Sequence, residues 1–179
     1  ANNNAFGKDT MADNTTGSNN TAIGHNALTA NTTGAANVAV GALALDANTT
    51  GDSNTALGRN SLTANTTGTQ NVGAGYGTLA ANTTANNNTA MGYNAMLTNT
   101  TGANNTAHGF RALNKNTTAS NNVAVGYDSL YANTTGHSNV AMGRDALAAN
   151  TTGHSHTAVG FEALSANTTA DENSAFGYQ

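Results

Sequence analysis

Residues 20–36 read Asn20-Thr21-Ala22-Ile23-Gly24-His25-Asn26-Ala27-Leu28-Thr29-Ala30-Asn31-Thr32-Thr33-Gly34-Ala35-Ala36, and the chain then starts again. The triplet Asn-Thr-Thr returns every 17 residues, beginning at Asn14, Asn31, Asn48, Asn65, Asn82, Asn99, Asn116, Asn133, Asn150 and Asn167. A fixed period of this size marks a repeat architecture, in which one short unit stacks on copies of itself. Written out, the unit is Asn, Thr or Val, Ala, an apolar residue, Gly, two variable residues, a small residue, Leu or Met, two more residues, Asn-Thr-Thr, Gly or Ala, and two last residues. Ten full units cover 3–172 and a partial one covers 173–179, so 1–179 is expected to be one repeat domain. Because the chain starts and stops in mid-unit, the expectation is either a processed subunit or, the reading preferred, a window on a longer fibre.

Unit length and breakers decide how each copy folds. Seventeen residues are too few for a two-helix repeat, which takes about 33 or 34, and two Gly stations per unit disfavour a helix. The expected class is all-β, a β-solenoid or parallel β-roll of ten coils. The segments Thr21–Ile23, Val38–Val40, Thr55–Leu57, Val123–Val125 and Val140–Met142 carry the β-branched residues that suit a first strand. The Gly that follows, from Gly7 to Gly177, predicts a corner with positive φ or a close backbone approach. A second short strand is expected around the column Leu28, Leu45, Leu62, Leu79, Met96, Leu113, Leu130, Leu147 and Leu164. The core is read as one Leu and one Val, Ile or Met per coil, with the Ala stations adding to it. So thin a core predicts lateral association into an oligomer. Absence of Pro agrees, since stacked coils need their amide donors. At about 4.8 Å per coil the rod is roughly 50 Å long.

Composition excludes several classes. Five basic and nine acidic residues give a net charge of −4, which suits neither nucleic-acid binding nor an acidic tail. Disorder is disfavoured, because apolar residues return at fixed stations. No apolar run reaches the roughly 18 residues of a membrane span, so membrane contact is expected only through some other region. The chain has no Cys, hence no disulfide framework and no thiolate metal site.

The segments Asn-Val-Ala-Val-Gly at 37–41 and 122–126, Asn-Val-Ala-Met-Gly at 139–143 and Asn-Thr-Ala-Ile-Gly at 20–24 resemble the core of the YadA-like head repeat of trimeric autotransporter adhesins. The resemblance covers essentially the whole chain. It implies a left-handed parallel β-roll, a homotrimer and display on a bacterial surface for attachment. The family's unit is shorter; the added Asn-Thr-Thr-Gly segment resembles repeats of phage tail fibres.

Each variable column has two readings. The Asn-Thr-Thr column matches the Asn-x-Ser/Thr glycan acceptor ten times. Spacing of about 4.8 Å leaves little room for a sugar on every Asn, so an amide ladder is the alternative. Just after the Gly lie Tyr76, Tyr93, Phe110, Tyr127, Phe161 and Tyr178, with Arg59 and Arg144 at the same station. That stripe reads either as a contact surface for glycans or neighbouring fibres or as a ring ladder that stabilises the rod. Asp128, Asp145 and Glu162 occupy the next station in successive coils. Stacked like charges repel, so they hold calcium, splay into solvent, or are compensated by a cation such as Arg144. His137, His154 and His156 gather near two turns and form a weak candidate for zinc. His108, at an apolar station, is expected to be a core histidine if that station faces inward.

Three function classes follow. A structural or adhesive fibre outside the cell, on a bacterial surface or a virion, explains uniform coils and scarce charge; its partners would be itself, glycans, a host surface or matrix. An ice-binding solenoid is the alternative, weakened because adjacent strand residues face opposite ways, leaving Thr-Thr with one outward column. A thermal-hysteresis assay separates the two. A carbohydrate-binding repeat module is the third class. Catalysis is not expected, because nothing in the repeats combines nucleophile, base and orienter, and no cofactor is implied.

Overall fold

The structure, a computed structural model, describes residues 2–178. Each coil contributes one strand of three residues: β1 (Asn4–Phe6), β2 (Thr21–Ile23), β3 (Val38–Val40), β4 (Thr55–Leu57), β5 (Val72–Ala74), β6 (Thr89–Met91), β7 (Thr106–His108), β8 (Val123–Val125), β9 (Val140–Met142), β10 (Thr157–Val159) and β11 (Ser174–Phe176). They form one sheet in chain order, all parallel. Register follows the period, so Val38 pairs with Thr55 and Ala39 with Ala56. The chain is therefore a parallel β-solenoid of about ten turns.

The expected second strand is absent. Leu28, Leu45, Leu62 and the rest of that column, through Leu164, have φ of 51° to 54°. The residue two places earlier is left-handed too, as at Asn26, Leu43 and Asn60. Two such bends in three residues cannot make an extended strand. The amides nevertheless reach the neighbouring coils: Leu28 N–H donates to Ala44 O at 2.9 Å, Ala30 N–H to Asp46 O at 2.9 Å and Asn26 N–H to Lys8 O at 3.0 Å. A left-handed Leu costs about 1–2 kcal/mol. Full burial of its side chain contributes roughly 2–3 kcal/mol and offsets that cost.

The strand also faces the other way from the expectation. Its central residue is the one that points inward: Ala22, Ala39, Ala56, Ala90, Ala107, Ala124, Ala141 and Ala158 are all fully buried. The apolar residue before the Gly points outward, with Ile23 43%, Leu57 42%, Met91 41% and Met142 43% exposed. His108 shares that outer station and is exposed, so it is no core histidine. Space explains the preference for Ala. Across the coil stand Leu, a second small residue and two Asn columns, leaving room for little beyond a Cβ. Where Gly73 replaces the Ala, a Cβ would lie 2.5 Å from Ser61 Oγ. Ser61 and Thr78 fill the vacated space, their hydroxyls 2.8 Å apart and the Ser61 hydroxyl donating to Gly73 O at 3.0 Å.

At the corner, the Gly residues of this column have φ of 115° to 140°. A Cβ on Gly41 would sit 2.6 Å from the carbonyl carbon of Gly58 and 2.9 Å from Arg59 N. Both the conformation and the stacking exclude a side chain.

Candidate functional site

The interior columns are built first, since they fix what remains outside. Asn of the Asn-Thr-Thr triplet turns inward, and the eight from Asn31 to Asn150 are fully buried. Each side-chain amide donates once to the Oδ1 of the preceding Asn. The bonds run unbroken from Asn31 to Asn14 at 2.7 Å through Asn167 to Asn150 at 3.2 Å. It donates a second time to a carbonyl of its own turn, as Asn82 does to Ala85 O at 3.2 Å and Asn99 to Gly102 O at 2.9 Å. With both amide protons committed and the atoms buried, these nitrogens are closed to glycan transfer in the folded rod. The first Thr hydroxyl donates to the carbonyl of its equivalent one coil on, as Thr49 Oγ1 does to Thr66 O at 3.1 Å. The second Thr forms an exposed line from Thr16 to Thr169.

A second asparagine column escaped the sequence reading, although the Asn stands first in the unit. Asn37 accepts the Asn54 backbone N–H on Oδ1 at 2.9 Å, and its Nδ2 donates to Gly51 O at 2.8 Å. The side chain thus extends the backbone ladder by one place before the strand begins. His156 replaces Asn here and is 1% exposed. Its Nδ1 accepts the Asn173 N–H at 3.1 Å, so the ring hydrogen is on Nε2, which faces Asn167 Nδ2 at 3.1 Å. Two donors therefore meet. We expect His156→Asn to restore the amide bond to the next turn, as Asn139 makes it to Gly153 O at 3.0 Å, and to raise the unfolding free energy by about 1 kcal/mol. Thermal denaturation followed by circular dichroism measures it.

Outside, the aromatic column is both stacked and exposed. Tyr76, Tyr93, Phe110 and Tyr127 have successive centroids 5.3, 5.4 and 5.0 Å apart, with planes within 11°. Phe161 and Tyr178 form a second stack at 5.2 Å. Between them Arg144 sets its guanidinium 5.0 Å from the Phe161 centroid.

Two members of the acidic column, Asp128 and Asp145, are brought to cations, whereas Glu162 makes no ion pair among the described residues. Asp128 receives both Nε (2.8 Å) and Nη2 of Arg111, which holds the same station one coil earlier. That hydrogen bond raises the guanidinium pKa above its ordinary value, with the Asp128 charge a smaller contribution in the same direction. Asp145 accepts from Arg144 Nε at 2.9 Å. Arg111 was missed from sequence; its offset of 17 from Asp128 is the signal that finds it. The guanidinium also lies 4.8 Å from the Tyr131 ring, and Lys115 Nζ lies 5.1 Å from the same ring.

The three histidines do not converge. His137 and His154 stack at 4.8 Å, and His154 Nε2 lies 3.3 Å from Asp171 Oδ2, whereas His156 is turned into the core. Among the described residues no group of three or more His, Asp or Glu could hold a metal ion. Nor, among them, is any helix long and apolar enough to cross a membrane.

Fold and columns together define a parallel β-solenoid whose two amide columns are internal and whose variable chemistry is carried outside. No protein-family model, no curated protein and no solved structure matches the chain.

Proposed function

We propose that the chain is the shaft of an extracellular fibre, structural or adhesive and non-catalytic, carried on a bacterial surface or a virion, whose copies associate side by side as a homo-oligomer. The observation that carries this reading is the outer face of the sheet. From β2 to β10 it presents a Thr or Val column and, beside it, the half-exposed Ile23, Leu57, Met91 and Met142. Eleven coils at about 4.8 Å make this face roughly 50 Å long and, at three residues, about 10 Å wide. The flanking aromatic column widens it toward the roughly 800 Å² per partner that a stable interface buries. Interrupted by Thr hydroxyls and by His108, the face still sets one large apolar side chain beside another over most of its length, and exposed apolar surface of that extent is unusual on a soluble monomer. Ice binding is less well supported, because the first Thr hydroxyl is spent on the neighbouring coil and the outer sheet columns are irregular in size.

Sedimentation equilibrium tests the proposal. The wild-type chain is expected to sediment as an oligomer, a trimer being the favoured stoichiometry, and Ile23→Lys/Leu57→Lys/Met91→Lys as a folded monomer. A wild-type monomer at high micromolar concentration would sink the proposal.

A further inference from the structure

The aromatic column is broken once between Tyr76 and Tyr178, at Arg144. An aromatic residue there would join the two stacks into a single run of rings. The guanidinium instead leans toward Phe161 and Asp145, and an open hollow of about 400 Å³ lies between Tyr127 and Arg144. This volume is in the range of small-ligand sites. The surroundings also depart from the repeat: Lys115 and Tyr131 replace the small or neutral residues that most coils carry at their stations, and Arg111, 5.9 Å from the Tyr127 ring, is the one cation at a station otherwise filled by Asn, Asp, Glu, Gln, Leu or Gly. Arg111, Lys115 and Arg144 are three of the five basic residues in the chain. On a scaffold whose coils are otherwise interchangeable, a cluster of exceptions that forgoes ring stacking marks a site rather than a structural need.

We infer that the hollow between Tyr127 and Arg144 binds a neutral sugar unit of a polysaccharide, with the Tyr127 ring as the platform and the Arg144–Asp145 pair at the rim. A pyranose offers an apolar face to an aromatic ring and hydroxyls at its edge to charged hydrogen-bonding groups. Charge at the hollow argues against an ionic ligand, since Lys115, the one cation of the cluster without an acidic partner among the described residues, lies over Tyr131 and not on the hollow's lining. Arg111 is matched by Asp128 and Arg144 by Asp145, so neither an anion nor a cation finds an uncompensated partner in either pair. This inference deepens the adhesive reading, since it names what the fibre would adhere to.

Affinity electrophoresis through gels containing dextran, laminarin or hydroxyethyl cellulose, with heparin and alginate as charged comparators, tests it. The wild-type protein is expected to be retarded by at least one neutral polysaccharide. Arg144→Tyr, which continues the ring stack and fills the gap, and Tyr127→Ala are each expected to weaken that binding roughly tenfold. Arg59→Tyr, at the same station beyond the other end of the stack, is expected to leave it unchanged. Circular dichroism of each variant reports folding separately. Absence of retardation by every neutral polysaccharide, retardation only by heparin or alginate, or wild-type binding by both Arg144→Tyr and Tyr127→Ala would overturn the inference. Sedimentation of the same samples keeps the two proposals apart. Association without sugar binding removes this one alone, and sugar binding by a monomer removes the oligomeric shaft alone.

Discussion

Asn82→Asp is expected to disrupt the middle of the rod at neutral pH and to be tolerated in acid. The substitution keeps the shape and replaces a two-proton donor by an acceptor. Asn82 Nδ2 donates to Asn65 Oδ1 at 2.9 Å and to Ala85 O at 3.2 Å. A carboxylate there would face both oxygens with no proton to offer, fully buried. An uncompensated buried charge costs about 3–5 kcal/mol. The carboxyl therefore holds its proton more tightly in the folded rod than in the unfolded chain, where its pKa is about 3.9. With the folded value raised, the folded state binds more protons, and stability falls as pH rises from the unfolded value toward the folded one. Below about pH 4 the protonated acid can still accept from Asn99 and donate one bond, one fewer than the amide, and no buried charge remains. Urea unfolding at pH 3.5 and pH 7 measures the difference. A variant equally stable at both values would contradict the amide ladder.

Gly58→Ala is expected to divide the rod. Gly58 has φ of 136° and a Cβ there would stand 2.5 Å from Gly75 O and 2.7 Å from Gly75 C. Such a backbone region is essentially confined to Gly and costs about 1–3 kcal/mol for other residues. The contact is with backbone of the next coil, so relief requires the coils to separate, and the total reaches about 4 kcal/mol or more. Because each coil touches only its neighbours, the damage stays near the site instead of unfolding the whole. Hydrogen exchange should then show lost protection in the coils containing β3 to β5 while those containing β7 to β10 keep theirs. Uniform protection, or uniform loss, would count against it.

The period exposed the coil length, the strand positions, the Gly corner and the Leu column, because each of these depends on spacing alone. Facing did not follow from spacing. A strand of three residues has one inward and two outward positions or the reverse, and hydrophobicity favoured the wrong choice: Val38 and Val40 look like core beside Ala39. Packing volume decided instead, since the interior admits a Cβ and little more. The Leu column was misread as a strand because Leu is not expected at positive φ. A signal was nevertheless present. The three non-Gly left-handed stations, at Asn26, Leu28 and Ala36 and their equivalents, never carry Val, Ile or Thr, the residues to which that conformation is most costly. At the candidate sugar site, the aromatic stripe was legible and its gap was not, because the hollow depends on which way Arg144 leans.

The inter-coil hydrogen bonds of the sheet lie along the rod rather than across it, and that has a mechanical consequence. Tension on the two ends loads the last coil's ladder first, so the shaft peels in discrete steps while its remaining turns stay intact. Each step releases 17 residues, about 58 Å of extended chain, in exchange for about 4.8 Å of rod. Such a shaft lengthens more than tenfold, coil by coil, before its covalent backbone is pulled taut.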